Sequence, residues 1–329
     1  METFKAFQVT KDPTFQAKII EQEPIELADN EVLVEVAYSD VNYKDALASS
    51  ESGNVIRTYP MTPGIDLAGT VIKSSTEQFS PGEKVLVTGY GLGVTHPGGY
   101  SQYQAVPSEW LVKLPERLST RQAMILGTAG FTAALAVNAL LEQGMKPTNH
   151  VLVTGASGGV GSVAIALLHK LGFTTITAFS RKTTAESWLT KLGATQVIQP
   201  TTFLPEKTKP LAKQTVDYVI DTVGGAQLSQ LLPLISYNGA AALCGNASGI
   251  ELNTTVLPFI LRNIQLIGID SVNVPHEQRE KIWQSLAELA ITDDLLVTEI
   301  SLTQLPETIA QLLAGTHQGR TLVHVGEKE

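Results

Sequence analysis

A single cysteine, Cys244, in 329 residues excludes an intramolecular disulfide framework and a cysteine-built zinc site. The six histidines (His96, His150, His169, His276, His317 and His324) never stand four apart, so the helical metal pair is missing too. Basic residues are also scarce. Lys and Arg total 23 against 32 Asp and Glu, a net charge of −9 with a pI near 5.2. That balance excludes a broad footprint for nucleic acid or an anionic membrane, although a local basic cluster can still take a phosphate. The chain does not open on a basic segment followed by an apolar stretch, so no secretion signal is read there and a cytoplasmic location is expected. Residues 122–141 carry no charge and raise the membrane question, but Gly127, Thr128, Gly130, Thr132 and Asn138 dilute the run. A buried helix is expected. With 43% hydrophobic and 17% charged residues and a mean hydropathy of +0.09, the composition is globular and the length suits two domains.

The chain changes texture near Met124. Before it, residues 32–38 (VLVEVAY), 67–72 (LAGTVI) and 84–88 (KVLVT) read as strands, separated by Pro60, Pro63, Gly64, Pro81, Gly82, Pro97, Gly98 and Gly99. After it, strands alternate with helical patterns. Residues 151–154, 174–179, 216–220, 240–243 and 264–269 are apolar strands. Val160, Val163, Ala164, Leu167, Leu168 and Leu171 mark one helix face, and helices are also expected over 185–192 and 227–235. That alternation predicts a parallel sheet covered on both faces, an α/β fold. The tail predicts helices near 277–291 and 306–313 and a strand at 320–325 that returns to the first domain.

The sharpest local signal is residues 151–161 (VLVTGASGGVG), between a predicted strand and a predicted helix. Glycines there allow a tight turn and let backbone N–H groups approach a pyrophosphate, while the helix start favours the anion. Ser157, Gly158, Gly159, Val160 and Gly161 are the expected contacts. About twenty residues on, where an NAD-preferring fold places an acid, stand Ser180, Arg181 and Lys182. A carboxylate there would repel a 2′-phosphate; a hydroxyl and two cations would hold it, so NADPH is the expected cofactor. The loop also satisfies the opening of short-chain dehydrogenases. Those carry it near the N-terminus and need a Tyr-x-x-x-Lys pair, which none of the eight tyrosines here completes.

Several segments together resemble the zinc-free medium-chain dehydrogenase/reductases related to quinone oxidoreductase, and within them the YhdH/YhfP, acryloyl-CoA reductase type. They are residues 39–46 (SDVNYKDA), 63–71 (PGIDLAGTV), 127–133 (GTAGFTA), the glycine loop, 221–225 (DTVGG), 258–263 (PFILRN), 268–272 (GIDSV) and 319–323 (GRTLV). The resemblance implies a doubly wound Rossmann domain over 123–265, and a β-rich GroES-like catalytic domain built from 1–122 and 266–329. It also implies a homodimer. Zinc-dependent relatives have a Cys where Tyr43 stands and a His-Glu pair where Ile65 and Asp66 stand, so no metal is expected.

What the resemblance implies chemically is hydride transfer from NADPH to an activated double bond, with hydrogen-bond donors stabilising charge on the carbonyl oxygen. Tyr43 is the expected residue beside the nicotinamide, with Asn42 as a polar partner and Thr128 near the ribose or carboxamide. Leu243, Asn246, Ser271 and Arg320 match places where relatives approach the cofactor. Arg262 is expected either to meet a CoA phosphate or to cap the helix end before Asn263. Asp66 could orient a partner, but the favoured expectation is a local backbone acceptor after the Pro-Gly turn, and Cys244 is expected to be structural. The substrate pocket is expected in the loops around 49–59 and 90–97. The leading reading is a reductase of short α,β-unsaturated acyl-CoA thioesters such as acryloyl-CoA. A broad quinone or enone oxidoreductase is the first alternative, and a non-catalytic NADPH-binding protein the second.

Overall fold

The structure is a computed structural model that describes residues 2–204 and 209–326. The chain forms two compact units, one of Met1–Thr128, Val272–Glu288 and Val297–Glu329, the other of Ala129–Ser271 and Leu289–Leu296.

The first unit opens with β1 (Phe4–Thr10) and β2 (Gln16–Gln22), an antiparallel pair. β3 (Glu31–Asp40) leads to the short helix α1 (Tyr43–Ala48), and then follow β4 (Asp66–Ser74), β5 (Lys84–Thr88), β6 (Tyr103–Pro107) and β7 (Val112–Lys113). α2 (Thr120–Glu142) spans the boundary between the units and breaks helical geometry at Gly127, whose φ is 51°. The expected boundary at 122 lies near the start of this helix, and the two units divide within it, after Thr128. By length and composition α2 could cross a membrane, but 78% of its apolar window is buried.

The second unit begins with β8 (His150–Val153) and α3 (Gly159–Lys170), then β9 (Thr175–Phe179), α4 (Glu186–Leu192), β10 (Gln196–Ile198) and α5 (Pro200–Phe203). β11 (Val216–Asp221), α6 (Gly225–Leu231), β12 (Ile235–Leu243), α7 (Leu257–Arg262) and β13 (Gln265–Gly268) complete it. All pairings are parallel, in the order β10-β9-β8-β11-β12-β13, the doubly wound arrangement that the alternating texture implied. Its core gathers Leu152, Phe179, Val219, Leu231 and Ile235. β12 is longer than expected. Its first residues, ISYN, fall where a helix to 235 and then a connection were expected, and of these Ile235 pairs with Val216 of β11 before a register shift, pairing resuming at Ala240.

The chain then adds α8 (His276–Leu289), β14 (Val297–Ser301), α9 (Leu305–Leu313) and β15 (Arg320–His324). β14 and β15 extend the first unit's sheet in the order β14-β15-β3-β4-β5-β7, with β6 on β3. Leu302, Leu305 and Ile309 pack with Ala46, Val36 and Val323 in that unit's core. Burial of each such side chain contributes about 1.5–3 kcal/mol, which is why the last 30 residues belong to the first unit.

Candidate active site and cofactor loop

In the second unit the site is made of backbone. β8 ends at Val153 and the chain turns through Gly155, whose φ of 57° favours glycine and whose missing Cβ leaves room for Thr222 Oγ1. Gly161 is required for a second reason: a Cβ there would lie 2.5 Å from the Gly155 carbonyl. Gly158 caps α3, so Gly159, Val160 and Gly161 form its first turn, where N–H groups have no carbonyl one turn back. Ser157 lies in the same turn and is buried. The N–H of Ala156 donates to the Phe179 carbonyl at 3.0 Å, which sets this loop beside the end of β9. There Ser180 is buried, its hydroxyl accepting the Lys182 N–H at 3.1 Å and donating to the Lys182 carbonyl at 3.3 Å. Ser180 thus shapes the turn, while Arg181 stands exposed at its tip. Burial, and then the Arg181 charge, push the Lys182 ammonium below its ordinary range.

Asp221 closes the adjacent strand end. It accepts from Thr154 Oγ1 at 2.7 Å and from the Gly224 N–H at 2.8 Å. Leu243 pairs with Asp221 at the end of β12, Asn246 is exposed in the following loop, and Ser271 is half-buried beyond β13. Cys244 donates to the Asp221 carbonyl at 3.4 Å, and burial, then Asp221, push its thiol up to about 12, the behaviour of a packing residue rather than a nucleophile. The turn, the helix start and the exposed cation fit a phosphorylated dinucleotide.

Arg262 differs from the expected phosphate contact. Its guanidinium donates to the carbonyls of Pro233 (2.6 Å), Ile235 (3.1 Å) and Ala212. Those bonds occupy the forked donors that a CoA phosphate would need, and they tie the end of α7 to two neighbouring segments.

In the first unit the site is made of side chains from segments far apart in sequence. Asn42 is the N-cap of α1, and its N–H donates to Asp45 Oδ2 at 2.9 Å. Asp45 also accepts the Ile65 N–H at 2.9 Å. The Asn42 amide donates to Asp40 Oδ1 and to Asp66 Oδ2, each at 2.8 Å. Asp66 further accepts the Thr128 N–H at 2.7 Å and the Thr128 hydroxyl at 2.5 Å. Asp66 is therefore a hub for two predicted site residues, the orienting role rather than the favoured local one, because its strand position turns it fully inward. Gly127 makes this approach possible, since a Cβ at that position would overlap Asp40 Oδ2. Tyr43, in the first turn of α1, is 41% exposed and available to a ligand.

Arg320 is placed otherwise than expected. Its side chain is 2% exposed, pairs with Asp40 and donates to the Ile125 carbonyl at 2.8 Å, so the guanidinium is internal to this unit. Asp40, Asp45 and Asp66 are all fully buried. Burial, then the Asp66 charge, push Asp40 well above the usual carboxylate range, and the same two causes push Asp45 up to about 7. Asp40 and Asp45, although inside the segment 39–46, are not singled out by the sequence, and the orienting role of Asp66 is the less favoured of its two there; the signal for all three is the burial of each on its element.

The loop around 90–97 is aromatic. Tyr90 has a φ of 51°, stacks on Trp110 at 5.4 Å and lies over the buried Arg279 at 4.4 Å, while His96 meets the edge of Trp110. Arg279 donates to the Thr88 carbonyl and hydroxyl and to the Val272 carbonyl, and it too was missed. Among the described residues, no three His, Cys, Asp or Glu side chains are grouped so as to hold a metal.

Comparison with known proteins gives this geometry a family. Residues 28–116 match the alcohol dehydrogenase GroES-like domain and residues 159–288 the zinc-binding dehydrogenase family. The chain is 44% identical to the acrylyl-CoA reductase AcuI of Ruegeria pomeroyi, over 98% of this chain and 99% of that protein. It is 42% identical to the putative quinone oxidoreductase YhfP of Bacillus subtilis, over 97% and 98%. The crystal structure of the YhdH oxidoreductase from Salmonella enterica in complex with NADP superimposes with a TM-score of 0.93 at 43% identity, covering 98% of this chain and all of that one.

Proposed function

This chain belongs to the zinc-free, quinone oxidoreductase-like medium-chain dehydrogenase/reductases, in their acryloyl-CoA reductase subgroup, and from that premise we propose its reaction. It reduces the activated C=C of a short α,β-unsaturated acyl-CoA such as acryloyl-CoA, with NADPH as the reductant and no metal. The observation that carries this reading is the glycine loop running beside the end of β9, where Arg181 is offered in place of a carboxylate. The likeness to the Ruegeria acrylyl-CoA reductase supports the substrate class.

When bound, NADPH supplies the hydride. The first turn of α3 and the Arg181–Lys182 pair hold its phosphates. Thr128 and Asn42, fixed by Asp66, and the exposed Tyr43 hydroxyl stand at the reacting centre. Of these groups the Tyr43 hydroxyl is the donor that can stabilise charge on the thioester oxygen, worth about 3 kcal/mol of barrier, because the Asn42 and Thr128 donors are held by Asp40 and Asp66 and position those residues instead.

Steady-state NADPH oxidation with acryloyl-CoA and with 1,4-benzoquinone at matched concentrations tests the reading. A higher kcat/KM for acryloyl-CoA is expected. Equal or higher efficiency with the quinone would replace it by the broad quinone or enone oxidoreductase, which the 42% identity to YhfP favours. NADPH binding with turnover of neither substrate would leave a binding protein.

The chain self-associates as a homodimer in the cytoplasm, away from membranes. Supporting the dimer, β13 is an edge strand of the second unit's sheet, and Val256, Ile260 and Leu261 beside it are exposed apolar residues. Light scattering should give twice the chain mass, and Ile260→Asp should shift it toward the monomer.

A further inference from the structure

The buried polar cluster of the first unit holds three acids and one cation. Asp40 on β3, Asp45 on α1 and Asp66 on β4 face Arg320 on β15 and the hydroxyl of Tyr100, which donates to the Asp40 carbonyl at 3.0 Å. With all three acids ionised, two uncompensated negative charges would sit in a dry interior, an arrangement that costs far more than retaining a proton. The hydrogen bonds show where that proton belongs. Asp66 accepts from three donors, the pattern of a carboxylate. Asp40 receives Asn42 and Arg320, and its carboxyl stands beside that of Asp66, since a Cβ at Gly127 would overlap Asp40 Oδ2 and lie 2.9 Å from Asp66 Oδ2; burial and the Asp66 charge favour a proton on Asp40.

We propose that Asp66 is the positioning residue that sets Asn42 and Thr128 in one arrangement, and that a proton kept on the neighbouring Asp40 completes the clamp. This rests on the reading of Asn42 and Thr128 as groups at the reacting centre. Asn42 has one orientation because a flipped amide would turn its oxygen toward both acids. Thr128 is held at two points, by its N–H and its hydroxyl, and Gly127 is the residue that lets it come so close. Removing the Asp40 proton leaves two carboxylates repelling across the Asn42 amide, so turnover should fall on the alkaline side. Asp45 and Tyr100 face the same cluster, and burial raises both. The alkaline limb is therefore assigned through variants.

The test compares kcat, KM and NADPH dissociation constants of the parent, Asp66→Asn, Asp40→Asn and Asp45→Asn from about pH 6 to about pH 10. Asp66→Asn should lose kcat on the order of 100-fold, since its amide faces the donors of Asn42 and Thr128, with NADPH affinity unchanged. Asp40→Asn keeps a neutral donor in the same place, so it should retain most of its kcat at neutral pH and lose the alkaline decline. Asp45→Asn should keep that decline. The infrared difference between the parent and Asp40→Asn should contain the carbonyl band of a protonated carboxyl. Parental kcat in Asp66→Asn, an unchanged alkaline limb in Asp40→Asn, or no such band would each overturn the proposal. If Asp66→Asn does not fold, the other variants and the band still decide. The band is read without turnover, so a parent that reduces no activated alkene would sink the functional reading and leave this one to be judged separately.

Discussion

The two units build their polar sites from different materials. In the second unit, the turn at 155–161 is one continuous segment whose working groups are peptide N–H donors, and glycine is there because Gly155 needs a positive φ and Gly161 a close approach. In the first, Asp40, Asn42, Asp66, Thr128 and Arg320 come from four segments, and the working groups are mainly side chains. A backbone site is tolerant of side-chain change but intolerant of a Cβ. A buried side-chain site carries charge, so it responds to pH.

The largest effect expected from breaking this contrast is Gly127→Ala. It puts a Cβ against Asp40 at a φ of 51° and should cost on the order of 3 kcal/mol or more, read by denaturant unfolding. A variant as stable as the parent would mean that the acids can move apart.

Asp45→Asn sharpens the contrast through pH. The folded chain keeps a proton on Asp45 up to about pH 7, whereas the unfolded chain releases it near about 4. Stability therefore falls as pH rises between those values, by on the order of 2–4 kcal/mol from this group, and is flat above them. The variant should lose that part of the slope in thermal unfolding followed against pH, while Asp40 continues to contribute in the same direction.

Arg181→Ala should raise the KM for NADPH on the order of tenfold and leave that for NADH nearly unchanged. Equal effects on both cofactors would remove Arg181 from the 2′-phosphate.

The smallest expected effect is Tyr43→Phe, a loss of kcat of about tenfold or less with NADPH affinity preserved, since the exposed hydroxyl acts on substrate rather than on packing. Parental kcat would return Tyr43 to the surface.

Legibility followed the same division. β3, β4, β5, β8, β9, β11 and α3 were readable because each carries an apolar pattern within its own length. β2 and β14 were not: QAKIIEQ and VTEIS have no buried face until a partner strand supplies one. Arg320 was expected at the cofactor and Arg262 at a CoA phosphate or a helix end, yet their guanidinium groups serve internal carbonyls and Asp40. An arginine's destination depends on which acceptors the fold brings near it, and no local spacing encodes that.

By itself, the sequence determined the class of fold, the position of the dinucleotide loop and the likeness to a zinc-free reductase family. Those features rest on glycine, apolar period and local charge, all short-range properties of the chain. Only the tertiary structure decided that Asp40, paired with Arg320, and Asp66 meet around Asn42 and Thr128. Burial and mutual distance set the charge of a carboxyl, and both exist only after residues 40, 66, 128 and 320 have been brought to one place.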